Sequence, residues 1–112
     1  MQQENVVLCA ASAYEEKFYL NEAFRGLPEG IKEELKIICV LFTADVGGVL
    51  IMEFGPEGDL RLRVDVAEED ILFDEIGSGL KIRQIQRERA ELFESLETYY
   101  RVVFLGDSSI IE

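Results

Sequence analysis

VLIMEFGPEGDLRLRVDV, running from Val49 to Val66, decides how this chain folds. Leu60, Leu62, Val64 and Val66 alternate with Arg61, Arg63 and Asp65, the two-residue period of a half-buried strand. Gly55-Pro56-Glu57-Gly58-Asp59 has the length and residue types of a hairpin loop. Pairing Phe54 with Leu60 then sets Met52 against Leu62 and Leu50 against Val64. The same register brings Glu53 opposite Arg61, a charge match on the face away from the apolar pairs, so two separate patterns select one alignment.

Working upstream, Gly47-Gly48 offers a C-terminal stop for a helix placed at about 29 to 45. Pro28 suits the first helical position, Glu29, Glu33 and Glu34 suit the positive end of the helix dipole, and Ile31, Leu35, Ile38 and Phe42 form one apolar face. The later part, Ile37 to Phe42, is apolar nearly all round and would also suit a strand, but the Gly47-Gly48 stop favours the helix. Residues 5 to 11 read as a short buried strand. For residues 12 to 25, Ser12-Ala13-Tyr14-Glu15 matches a capping box, whereas Lys17-Phe18-Tyr19-Leu20 is rich in strand formers that pair back onto residues 5 to 10; the strand is the favoured reading.

Downstream, Ala67-Glu68-Glu69-Asp70 reads as a solvated acidic turn and Ile71-Leu72-Phe73 as a short third strand after the helix. A helical pattern then runs from Leu80 to Leu105 through Ile85, Leu92, Leu96, Tyr99 and Val103, with Gly106 as its stop. At 1.5 Å per residue it would span roughly 39 Å, as far as a whole domain of this size, so it is either a spine along the molecule, with room for a kink, or a helix whose apolar stripe partly serves a second subunit. The expected fold is α+β: an antiparallel sheet of about four to five short strands against two helices, the C-terminal one long, in a single domain over residues 1–112.

Composition narrows the chemistry. The 112 residues carry a net charge of -12 and no His, which removes imidazole bases, Ser-His-Asp and Cys-His nucleophile systems and imidazole metal sites. Cys9 and Cys39 each sit inside an apolar run, lack a CxxC partner, and read as core thiols of a reducing compartment. The acidic, polar start Met1-Gln2-Gln3-Glu4-Asn5 carries no targeting signature, so a cytoplasmic location is expected. The longest apolar run, Ile37 to Phe42, is too short for a membrane span, and net negative charge repels nucleic-acid phosphates, so neither membrane nor nucleic acid is an expected partner.

Three groups of residues are candidates for function. Asp65, Glu68, Glu69, Asp70, Asp74 and Glu75 lack the alternate-ligand spacing of a calcium loop, so no metal or other cofactor is expected. Gly77-Ser78-Gly79, with Lys81 and Arg83 behind it, offers free amides at a helix start to a small anion, although it matches no phosphate-loop pattern and Ser78 also serves as an N-cap there. Tyr99, Tyr100 and Phe104 are residue types enriched at interface centres, and a stripe longer than one small sheet needs points to a second subunit. Residues 81 to 101 hold 5 basic and 4 acidic side chains, against 6 and 17 in residues 1 to 80, and the spacings Arg87–Glu91 and Glu97–Arg101 allow salt bridges on the last helix. The leading expectation is a non-catalytic, homodimeric interaction module; the alternative is an anion-binding domain or cryptic enzyme built on the Gly77–Gly79 turn.

Five segments carry a likeness. YEEKFYLN (Tyr14–Asn21), LPEGIKEEL (Leu27–Leu35), LFTADVGG (Leu41–Gly48), FDEIGSGLKI (Phe73–Ile82) and ELFESLETYY (Glu91–Tyr100) together resemble a family of small acidic bacterial proteins known only as a domain of unknown function. The resemblance implies a bacterial cytoplasmic protein and assigns no role to any residue.

Overall fold

The computed structural model describes residues 5–106; the start Met1–Glu4, on which the targeting expectation rests, lies outside them. Four strands, β1 (Val6–Ser12), β2 (Lys17–Leu20), β3 (Val49–Phe54) and β4 (Leu60–Asp65), form one antiparallel sheet in the order β2-β1-β3-β4. Three helices complete the α+β fold: α1 (Glu29–Val46), α2 (Glu75–Glu88) and α3 (Ala90–Val103). The β3–β4 register is the one the charge and apolar patterns select, with Phe54 on Leu60, Glu53 on Arg61, Met52 on Leu62 and Leu50 on Val64. Gly58, at φ 91°, closes the connecting turn by donating its N–H to Gly55 O at 3.0 Å.

Alternation sorts the sheet into two unlike faces. Cys9, Ala11, Phe18, Leu20, Leu50, Met52, Phe54, Leu60, Leu62 and Val64 share the face that meets the helices in a single core with Leu35, Ile38, Phe42, Ile85, Phe93, Leu96 and Tyr100. A bulge between Val7 and Cys9 lets Leu8 and Cys9 both enter that core. The other face carries Val7, Ala10, Tyr19, Val49, Ile51, Glu53, Arg61, Arg63 and Asp65, and no helix lies over it among the described residues.

Residues 12 to 25 resolve as the favoured strand, β2, followed by a 3-10 turn at Glu22–Phe24; Ser12 Oγ accepts from Glu15 N at 3.2 Å inside the β1–β2 turn instead of capping a helix. α1 ends where expected, at Gly47 with φ 88°. Two expectations need correction. Ile71-Leu72-Phe73 forms no strand: it lies in a turn, with Ile71 and Leu72 facing solvent. The long helix is two helices, meeting at Arg89, which caps both. The break has a tertiary cause, since α2 runs beside α1, through Lys81–Asp45 at 3.6 Å and Arg89–Glu34 at 3.2 Å, while α3 turns to the β3–β4 hairpin. Glu97 there accepts from Leu60 N at 2.8 Å and Arg101 donates to Glu57 O at 3.4 Å, so neither makes the Glu97–Arg101 bridge; Arg87 and Glu91 fall on opposite sides of the break.

On the helix-free face, Arg63 donates to Glu53 from Nε at 3.0 Å and to both Asp65 oxygens at 2.8 Å. The Arg63 guanidinium holds the nearly buried Glu53 carboxyl below its ordinary 4.5, against the opposing push of burial. A carboxyl whose folded-state value is depressed stabilises above its unfolded value, and that contribution disappears as pH falls through the folded value. Glu53→Gln is therefore expected to cost about 1 kcal/mol near neutral pH, limited because Arg63 is half exposed, and to lose less stability than the parent on acidification. Urea midpoints measured down to about pH 3 should converge; curves that stay parallel would show that Glu53 gains nothing from its partner.

Candidate functional site

Gly77, Ser78 and Gly79 lie within the opening turns of α2, because the helix starts earlier than the apolar periodicity indicates. Asp74, not Ser78, is the N-cap: its carboxylate accepts from Gly77 N at 3.0 Å, and its carbonyl accepts from Ser78 N at 3.0 Å. Ser78 is buried. Lys81 turns to Asp45, while Arg83 is exposed and has no ion-pair partner among the described residues. The depression beside Ser78, about 470 Å³, is bordered by Asp45, Asp74, Leu72, Leu80 and Lys81. Two carboxylates thus face one lysine, and the chain's own Asp74 already holds an amide an anion would use.

The aromatic end of α3 turns inward. Tyr100 is buried, stacked on Phe54 with ring centroids 4.2 Å apart and planes 9° from parallel, and Phe24 and Phe104 extend the stack. Tyr99 is half-buried. Phe104 is 38% exposed and leans on Phe24 at 4.8 Å, so it is the member of the trio that presents most to solvent.

Two other regions stand out: one did not figure among the sequence candidates, and the other figured there only through its acidic residues, weighed as metal ligands. The first is a groove of about 720 Å³ between α1 and the β1–β2 hairpin, lined by Ala11, Phe18, Val40, Thr43, Lys17 and Lys36. It shares Lys36 and Val40 with a shallower depression containing Ile37 and Leu41, both exposed, so an apolar track crosses the outer side of α1. Lys17 and Lys36 have no ion-pair partner among the described residues. The all-round apolar run Ile37 to Phe42 was the available signal, since a helix with one buried face needs apolar residues on that side alone.

The second region is the loop after β4. Ile71 and Leu72 are 87% and 92% exposed and Ile76, at the start of α2, is 79% exposed, while Glu68, Glu69, Asp70, Asp74 and Glu75 surround them in sequence. Tyr14 tethers this loop to the β1–β2 turn, donating to Asp70 Oδ2 at 2.7 Å and accepting from Ala67 N at 3.1 Å. The hydrogen bond to Asp70 raises the Tyr14 phenol above its ordinary value. Among the described residues, no group of His, Cys, Asp or Glu is arranged to hold a metal ion and no helix is long and apolar enough to cross a membrane.

The architecture is that of an α+β domain with helices on one face of a four-stranded antiparallel sheet, carrying exposed apolar surface beside unpaired charge. The chain belongs to a family of unknown function, DUF6145, whose match spans residues 5–108. No curated protein and no solved structure matches it.

Proposed function

We propose that this protein is a non-catalytic interaction module that works as a homodimer. The observation that carries this is the exposure of Ile71, Leu72 and Ile76 on the loop after β4. Large apolar side chains clustered in water mark binding surfaces more often than they mark nothing, because each leaves unfavourable hydrated area that a partner removes. The apolar track over Ile37, Val40 and Leu41 adds a second such surface.

Catalysis has less support. His is absent from the chain, both thiols are buried, and in the depression near Ser78 that serine is buried with no activating base hydrogen-bonded to its hydroxyl among the described residues, while Lys81 pairs with Asp45. An anion site at Gly77–Gly79 is disfavoured by the same Asp74 cap that occupies Gly77 N.

Sedimentation velocity on the purified chain tests the proposal. A dimer is expected at micromolar concentration, its weight-average mass falling on dilution. A single monomeric species at every concentration removes the homodimer.

A further inference from the structure

We infer that, in the homodimer, the acidic apolar loop 67–76 of each copy seats in the groove between α1 and the β1–β2 hairpin of the other. This rests on the homodimer proposed above and goes further by naming the two surfaces that meet. The juxtaposition is chemical first. The groove offers apolar walls, Phe18 and Val40, and two cations without ion-pair partners among the described residues, Lys17 and Lys36, against one carboxylate, Glu16, so its lining is net positive. The loop offers Ile71 and Leu72 preceded by Glu68, Glu69 and Asp70, of which both glutamates are exposed. Apolar meets apolar and unpaired cation meets unpaired carboxylate, which is the complementarity that fixes register and suppresses wrong partners.

The placement of the two surfaces favours a second copy of this chain over an unrelated acidic protein. Both border the β1–β2 turn: Ala13, Glu16 and Lys17 line the groove, and Tyr14 in that same turn holds Asp70. A two-fold axis passing beside this turn lets each loop reach the other copy's groove at once, so both unpartnered surfaces are used and the contact closes on itself. A chain of net charge -12 repels its own copies at long range, which makes a local match of this kind the condition for association.

Complementary charge reversal tests it. One variant carries Lys17→Glu and Lys36→Glu in the groove; the other carries Glu68→Lys and Glu69→Lys in the loop. All four side chains are exposed and outside the core, and circular dichroism verifies that each variant folds. Each variant alone is expected to dimerise at least 100-fold more weakly than the parent. The loop variant is the sharper probe, because it reduces net negative charge, so general repulsion alone would strengthen its association. An equimolar mixture places Glu grooves against Lys loops and Lys grooves against acidic loops, and is expected to form the heterodimer with near-parental affinity.

Monomeric variants whose mixture stays monomeric overturn the loop-in-groove contact. Variants that dimerise like the parent also overturn it, while leaving the homodimer intact on another surface. A mass that keeps rising with concentration overturns the reciprocal arrangement, since an open chain of copies replaces the closed pair. A parental chain that is monomeric throughout overturns the homodimer itself, and with it this contact.

Discussion

Phe54→Ala is expected to lower the stability of the folded chain by about 3–5 kcal/mol, a large part of the total of about 5–15 kcal/mol typical of a domain. Phe54 ends β3, is fully buried, and lies face to face with Tyr100 of α3 and beside Phe24 of the 3-10 turn. It therefore joins three parts of the chain that are remote in sequence. Removing the ring forfeits its transfer free energy and leaves a cavity that α3 can close only by shifting against the sheet, while the stacking contribution of about 0.5–1.5 kcal/mol is lost as well. The urea midpoint should fall with an unchanged slope. Phe104→Ala provides the comparison: with 38% of Phe104 already in water, its loss should be clearly smaller. Equal losses for the two variants would mean that the aromatic stack is not organised around Phe54.

The same aromatic cluster shows where sequence reading stops. An amphipathic stripe states that Leu92, Leu96, Tyr99 and Val103 share a side, but not whether the surface that covers them belongs to the same chain or to another. Tyr100 was a candidate for an interface because its residue type is common there; it instead fills the end of its own core, against Phe54. The β3–β4 hairpin was legible because alternation, turn residues and the Glu53–Arg61 opposition all select one register. α1 was legible because Pro28 and Gly47 mark both ends. A kink was allowed by the length of the stripe, but its place at Arg89 was not legible, since no Pro or Gly marks it and its cause is tertiary, the ion pair with Glu34 and the turn of α3 toward Leu60. Ile71 and Leu72 misled for a related reason. Their strand-forming side chains describe a tendency to be covered, and β4 does not supply the cover.

Cys9 and Cys39 are expected to react with an aromatic disulfide reagent at least about 1,000-fold more slowly in the folded chain than in denaturant. Both side chains are fully buried, one on β1 and one on α1, with their sulfurs 3.8 Å apart and one S–H directed to the other sulfur. The hydrogen bond with Cys39, then burial, pushes the Cys9 thiol well above its ordinary value, so the Cys9 thiolate is almost absent before the seam between helix and sheet opens, and Cys39 is kept from the reagent by its burial. The labelling rate therefore reports the opening equilibrium when reclosing is fast. Labelling within tenfold of the denatured rate would mean that α1 separates from β1 locally, without unfolding the rest. The Phe54→Ala variant distinguishes the two routes. If the thiols become accessible only through global unfolding, a loss of about 3 kcal/mol must accelerate labelling by roughly 100-fold, because each 1.4 kcal/mol is a factor of ten. If α1 alone lifts away, the aromatic stack at α3 stays closed and the rate should barely change. Agreement between lost stability and gained reactivity would then show that the helix–sheet seam at Cys9–Cys39 and the aromatic end of the core form one cooperative unit.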